Sequence, residues 1–252
     1  MEERTIHILI GGEAGQGLVT VGQLLAKALV RAGYPILVTQ SYESRIRGGH
    51  NTFGIRTGDA EILAPGESID LLVALTSETE DLHRDELAPD ALVIADKKFN
   101  RSRESCLRVP FEDLSEPRYS NVVALGVMSS LLGLTEELVA ETVDTFFGKK
   151  SDDAVEKNRA ALREAFGWTE GQGASKLALP PVASRPARLM LNGNEAIALG
   201  AISAGLRFCS FYPMTPSTSI PLTLAKHAQR TGMIVEQAED EISAINMALG
   251  AS

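Results

Sequence analysis

An α/β fold with a mostly parallel sheet is predicted by three features of the 252-residue sequence. Short β-branched runs alternate with segments of helical period, the pattern of strands joined by crossover helices. The first such run ends in a glycine-rich turn that opens a helix, Gly11-Gly12-Glu13-Ala14-Gly15-Gln16-Gly17. The composition, 44% apolar and 23% charged, is that of a globular chain long enough to bury its own core.

Taken in order, Thr5–Ile10 is a short apolar run that reads as a buried strand. From Gly17 to Gly33, apolar residues at 18, 21, 24, 25, 28, 29 and 32 keep helical spacing, and Gly33 with Pro35 stops them. Further strands are expected at 35–40, 52–56, 71–75 and 91–95, and helices at 122–132, 136–147 and 152–166. The expected architecture is Rossmann-like, with helices on both faces of the sheet. From Trp168 to Pro186 no helical or alternating period runs, and Pro180, Pro181 and Pro186 fix the backbone, so a linker is expected over 168–188. It separates a first domain, 1–167, from a second, 189–252. In the second, a small-residue helix is expected over 192–206, a strand at 208–212, a helix to about 230 and a strand at 233–237. A last helix opens at 238–241.

The net charge of −9 falls within residues 1–180, while 181–252 balance at five acids and five bases, which argues against a generally basic nucleic-acid binder. No apolar run approaches the roughly 20 residues of a spanning helix, so no membrane segment is expected. The start, Met-Glu-Glu-Arg, has no leader character. Cys106 and Cys209 are far apart and no Cys-x-x-Cys occurs, so the expectation is a reducing cytoplasm, with no iron–sulfur cluster and no metal site in this chain.

The glycine turn points backbone N–H groups towards an anion, and Gly12, Gly15, Gln16 and Gly17 are candidate cofactor-binding residues. The alternative is a tight turn serving close helix–sheet packing. A dinucleotide site wants G-x-G-x-x-G and an acid at the end of the second strand. Here the spacing is G-x-x-G-x-G, and that strand ends Thr39-Gln40-Ser41. The following segment, Tyr42-Glu43-Ser44-Arg45-Ile46-Arg47-Gly48-Gly49-His50, places Arg45 and Arg47 in an otherwise acidic domain. Guanidinium forks suit phosphate or carboxylate. A solvated charged loop and a hydrogen-bonded structural His50 are the alternatives.

In the second domain, Tyr212-Pro213-Met214-Thr215-Pro216-Ser217-Thr218 is a proline turn that holds the Thr215 hydroxyl at the C-terminal end of a strand. Ser217 or Thr218 is expected to cap the next helix. In Ala238-Glu239-Asp240-Glu241, acids suit a first helical turn. Glu241 shares a helical face with Ala244, Ile245 and Ala248, which predicts a desolvated carboxyl.

The strand, the Gly-Gly-x-x-Gly-Gln-Gly turn, the helix and Tyr-Glu-Ser-Arg-Ile-Arg-Gly-Gly together resemble the gamma domain of 2-oxoacid:ferredoxin oxidoreductases. Residues 189–252, with Tyr-Pro-x-Thr-Pro-Ser and Glu-Asp-Glu-x-x-Ala-x-Asn-Met-Ala, resemble the start of the alpha subunit of the same family, the pyrimidine-binding part of a thiamine-diphosphate fold. In many members the gamma domain is fused before alpha, the order found here. The resemblance implies oxidative decarboxylation of a 2-oxoacid to its acyl-CoA, with electrons passed to ferredoxin. It implies thiamine diphosphate shared with a beta subunit, and coenzyme A as cosubstrate. Mg²⁺ and the iron–sulfur cluster are expected on partners in a hetero-oligomer. Glu241 falls on the carboxyl that hydrogen-bonds the aminopyrimidine ring and promotes its reactive tautomer. Thr215 falls on the threonine that contacts substrate, with Tyr212, Pro213 and Ser217 beside it, and Arg45 or Arg47 would meet the anionic groups of coenzyme A. Family alpha chains continue past the position of Ser252, so a partial polypeptide, inactive alone, is expected. Two other functions fit the same residues: a stand-alone nucleotide- or flavin-binding module using the Gly15–Gly17 turn, and a non-catalytic scaffold.

Overall fold

The computed structural model describes residues 4–13, 15–41, 49–99, 106–147, 152–173, 177–182 and 189–252. They form two compact units, Met1–Arg188 and Leu189–Ser252.

The first unit carries β1 (Thr5–Glu13), α1 (Leu18–Ala32), β2 (Ile36–Ser41), β3 (His50–Gly58), β4 (Ile69–Ala74), the single-turn α2 (Thr79–Leu82), β5 (Leu87–Asp96), β6 (Cys106–Val109), the single-turn α3 (Phe111–Leu114), α4 (Ser120–Leu131), α5 (Glu136–Phe147) and α6 (Asp152–Gly171). The sheet order is β2-β3-β1-β4-β5-β6. The β1–β4, β4–β5 and β5–β6 ladders are parallel. β3 runs antiparallel between β1 and β2. The connection from β2 to β3 therefore leaves and re-enters the sheet at the edge where β1, β4 and β5 end. In register terms, Ser41 and Gly11 both lie opposite Thr52, and Gly11 lies beside Ala74.

The helical cover is one-sided, a correction to the two-sided expectation. Ile8, Ile10, Phe53, Ile55, Leu71, Val73 and Ile94 point to one face, where residues of α1, α4, α5 and α6 enclose them in one cluster. Among the described residues, the opposite face holds a small group, Leu9, Ile69, Leu72 and Val93, with Leu87 and Cys106 against it. An unbroken apolar run such as Leu71–Ala74 shows that both faces are apolar, but it does not say which face receives a helix.

α1 spans Leu18–Ala32 between two glycines in left-handed conformation, Gly17 (φ 80°) and Gly33 (φ 95°). Gly33 N–H closes the helix on the Val30 carbonyl at 3.0 Å. Gly22 lies where a Cβ would meet the Phe53 ring at 2.3 Å, so α1 sits directly on β3. α6 continues through Trp168 to Gly171, beyond the expected end at 166, because its apolar stripe continues. Ala161, Leu162, Ala165, Phe166 and Thr169 are all buried, and Thr169 Oγ1 donates to the Ala165 carbonyl at 2.7 Å. The segment expected as linker thus begins in helix.

The second unit is α7 (Gly193–Ser203), β7 (Phe208–Phe211), α8 (Ser219–Thr231), β8 (Ile234–Gln237) and α9 (Glu241–Ala251). β7 and β8 form a parallel pair, Phe208 opposite Ile234 and Phe211 opposite Gln237. Its core is small: Ala198, Leu224 and Met233, with Ile202, Cys209, Ile220 and Val235 packed around them. α7 starts in a capping box, with Asn192 Oδ1 accepting from Glu195 N–H at 2.8 Å and Glu195 Oε2 accepting from Asn192 N–H at 3.0 Å. None of the described helices is long and apolar enough to cross a membrane.

Candidate functional site

In the first unit the site is built around the glycine turn. β1 extends past Ile10 through Gly11 and Gly12 to Glu13, so these two glycines are strand residues. Space explains both. A Cβ on Gly11 would stand 2.5 Å from Thr79 Cγ2 and 2.9 Å from His50 Cε1; one on Gly12 would stand 2.6 Å from Gln16 Oε1. The turn proper is made by Gly15 (φ 92°) and Gly17 (φ 80°). Gln16 is committed to the turn itself, its Oε1 accepting from Glu13 N–H at 2.9 Å.

Gly12, Gly15, Gln16 and Gly17 are therefore brought together at the head of α1. Arg45 and Arg47 lie outside the described residues. Their connection is anchored at the same edge, by Ser41 at the end of β2 and by His50, which lies opposite Glu13. Three neighbours of the turn carry no sequence motif. Asn121, at the start of α4, has its Nδ2 2.1 Å from where a Gly17 Cβ would be. Thr79 is fully buried and shares a 2.9 Å hydrogen bond with Thr76. His83 faces His50, Nε2 to Nε2, at 2.8 Å. The approaches of Asn121 to Gly17, Thr79 to Gly11 and His83 to His50 join residues tens of positions apart, which no local pattern encodes.

Two thiols are pushed above their ordinary range. For Cys106, burial is the larger cause and the Glu80 carboxylate adds to it, against a smaller opposing effect of Arg108. For Cys209 burial alone acts.

In the second unit, parallel pairing sends the chain out of β7 and of β8 at the same end. Tyr212 to Ser217 follow β7 as a solvent-facing turn with a cis peptide before Pro216. Thr218 N–H and Ser217 N–H both donate to the Met214 carbonyl, at 3.0 and 2.9 Å. The expected cap of α8 is absent. Ser217 Oγ donates to the Met214 carbonyl at 3.0 Å instead, and Thr218 occupies the cap position without a side-chain bond. The turn is held from α7: Asn194 Nδ2 donates to the Pro216 carbonyl at 2.8 Å and to Ser219 Oγ at 2.7 Å.

After β8, Ala238 N–H donates to the Phe211 carbonyl at 2.8 Å, which ties the two exits together. α9 begins at Glu241, later than expected, because Asp240 is its cap: Oδ1 accepts from Ser243 N–H at 2.6 Å. That backbone bond, with Ser243's side chain and the Ile242 N–H assisting, holds the Asp240 carboxyl below the usual range against a small effect of burial. Glu239 lies before the helix. Ser210 Oγ donates to the Ala244 carbonyl at 2.6 Å and sets α9 against β7.

Thr215 and Glu241 thus sit at one end of one parallel pair. Both are exposed, and the Glu241 carboxylate has no hydrogen-bond partner among the described residues. The desolvated seat expected for it is not formed within this chain. α9 buries no residue, and Ile245 is 58% exposed. The stripe of Ala244, Ile245 and Ala248 is present and β7 lies against the helix, but most residues of the helix face solvent.

A model of the pyruvate ferredoxin/flavodoxin oxidoreductase family matches residues 7–168. A second, for the thiamine diphosphate-binding domain of pyruvate flavodoxin/ferredoxin oxidoreductase, matches residues 199–252. The alpha subunit of 2-oxoacid:ferredoxin oxidoreductase from a Sulfolobus species is 26% identical over 97% of this chain and 48% of its own length. The 2-oxoglutarate synthase subunit KorC of Archaeoglobus fulgidus is 30% identical over 65% of this chain and 87% of its own. Among solved structures, a 2-oxoglutarate:ferredoxin oxidoreductase from Magnetococcus marinus, with 2-oxoglutarate, coenzyme A and succinyl-CoA bound, superposes with a TM-score of 0.90. That match is 27% identical and covers 100% of this chain and 46% of the other. The chain spans about half the length of the Sulfolobus relative.

Proposed function

Since the chain belongs to the pyruvate ferredoxin/flavodoxin oxidoreductase family, we propose that it forms one part of a cytoplasmic 2-oxoacid:ferredoxin oxidoreductase. The reaction converts a 2-oxoacid and coenzyme A to acyl-CoA and CO₂, and two electrons pass to ferredoxin. The observation that carries this reading is positional. The two family matches follow one another in the order gamma, then alpha. Within the second, Thr215 and Glu241 leave adjacent parallel strands at the same end.

The residues fit thiamine diphosphate. Of the acids at the head of α9, Asp240 is engaged in capping, whereas the exposed Glu241 carboxyl has no hydrogen-bond partner among the described residues and is open to a ring nitrogen. Bound between this chain and a beta subunit, the cofactor supplies the nucleophilic carbon and electron sink that a decarboxylation needs. Glu241 would hold a proton at the pyrimidine ring. Thr215, carried by the turn that Asn194 clamps, would donate its hydroxyl hydrogen to an oxygen of the oxoacid, with Tyr212, Pro213 and Ser217 shaping its surroundings. The dry seat that Glu241 needs would form on assembly with the rest of alpha and with beta. Arg45 and Arg47, on the connection between β2 and β3, would meet the phosphates of coenzyme A. Mg²⁺ and the iron–sulfur cluster belong to the partners in this reading.

The test is reconstitution of this sequence, continued by the remainder of an alpha chain, with a beta subunit. Oxoacid- and coenzyme-A-dependent reduction of viologen or ferredoxin is expected. A complete assembly that binds thiamine diphosphate yet reduces neither acceptor would defeat the reading. Tight nucleotide or flavin binding by the first unit alone would favour the stand-alone module.

A further inference from the structure

His50 opens β3 and His83 follows α2, yet their Nε2 atoms face each other at 2.8 Å. On the far side of His83, Nδ1 lies 3.0 Å from Glu86 Oε1. The His83 side chain is 13% exposed, whereas that of Glu86 is 56% exposed, so the chain of three runs from solvent to the sheet edge. Gly11 makes room for it, since a Cβ there would stand 2.9 Å from His50 Cε1.

The chemistry of this arrangement is restrictive. A bond between two ring nitrogens holds one hydrogen: one ring donates and the other accepts. An ionised Glu86 only accepts, so His83 Nδ1 carries hydrogen. In the uncharged chain His83 Nε2 is then the acceptor, and His50 Nε2–H donates to it. One added proton, on either ring, still leaves a donor facing an acceptor. A second leaves two N–H groups face to face, with two like charges and nothing between them to accept. Among the described residues, the charged groups on the surrounding elements are Glu13 on β1, Glu78 at the head of α2, Glu80 and Asp81 on it, Arg84, which is paired with Asp81 at 2.8 Å, and Asp85 and Glu86 beside Arg84.

The geometry points to a proton-operated latch. While the pair holds no more than one added proton, the His50–His83 bond ties the start of β3, beside the glycine turn, to α2 and the Arg84–Glu86 turn. When both rings are charged the bond opens and the Thr79–Glu86 segment is released from the sheet edge. Glu86, by accepting from His83 Nδ1, holds the His83 ring with Nε2 towards His50.

Hydrogen–deuterium exchange on the full chain tests this. The amides to follow are His83, which donates to the Thr79 carbonyl at 3.2 Å, and Glu86, which donates to the His83 carbonyl at 3.1 Å. The control is Val139 in α5, which donates to the Thr135 carbonyl. After correction for intrinsic exchange, protection at His83 and Glu86 is expected to fall about tenfold between about pH 8 and pH 5 while Val139 holds. His83→Leu should be poorly protected throughout and indifferent to pH. Glu86→Gln, at an exposed position, keeps an acceptor for His83 Nδ1 and should keep the latch. Three results would overturn the proposal: flat protection in the unsubstituted chain, a fall shared by Val139, or protection in His83→Leu equal to that of the unsubstituted chain at about pH 8.

Discussion

Asn194 reaches across from α7 to donate to the carbonyl of Pro216 at 2.8 Å. The same Nδ2 meets Ser219 Oγ at 2.7 Å, so one amide spans the turn that presents Thr215. The removal of such bonds at an exposed site costs about 1 kcal/mol. Asn194→Ala is therefore expected to lower the stability of the second unit by that order, read as a fall in its urea midpoint. In the complete enzyme it should reduce kcat/KM for the oxoacid about tenfold, the rate equivalent of roughly 1.4 kcal/mol. An unchanged KM and kcat would mean that the clamp does not govern Thr215.

Glu241 and Asp240 are neighbours with opposite duties, and substitution should separate them. Glu241→Ala is expected to leave folding of the chain unchanged and to slow the complete enzyme by about 10²–10⁴, the usual worth of acid–base participation. Asp240→Ala should instead loosen α9, read by circular dichroism. The sign of the pH dependence follows from the depressed Asp240 carboxyl. The folded form binds its proton less readily than the unfolded one, so the stabilisation is present above the unfolded pKa of about 3.9 and is lost as pH falls through the folded value. Melts of the Asp240→Ala chain should lack that acid-range component.

Much of this was legible in the sequence, for identifiable reasons. α5 falls at the expected Glu136–Phe147, and α1 lies between the two glycines expected to bound it, because period and stop residues are local. The direction of β3 was not legible, since alternation is the same for a strand running either way. β6 has only four residues, Cys106–Val109, too few to show a period. At the site, Thr215 and Glu241 were marked by their turn and helix, whereas Asn194 sits in an ordinary small-residue helix and reveals its role only through contacts 22 and 25 positions away. The apolar stripe beside Glu241 was read correctly as a stripe. It is not buried by the described residues, where α9 buries no side chain.

The two turn glycines should respond differently to alanine. Both hold positive φ, which costs an L-residue roughly 1–2 kcal/mol. Gly15 has nothing within 4 Å of its Cβ position among the described residues, so Gly15→Ala should cost only that strain. Gly17→Ala also drives a methyl onto Asn121, and overpacking adds about 1–3 kcal/mol. Equal losses in denaturant titrations would show that Asn121 swings away freely.

Neither cysteine should label readily. Burial raises both thiols, and Glu80 adds to the effect at Cys106. Less thiolate is present at neutral pH, so iodoacetamide should modify each more slowly than free cysteine at about pH 7.5, catching up only as pH rises above the ordinary thiol range. Glu80→Gln should quicken Cys106 and leave Cys209 alone. Rapid modification of both at neutral pH would contradict the burial described.

The β7–β8 pair has one ladder and therefore two open flanks, each a row of backbone donors and acceptors. Such margins invite a further strand from any neighbour. For the bench, this makes concentration the variable to watch: the second unit purified by itself should scatter more light as it is concentrated, and additional strands supplied alongside it should act as a solubiliser.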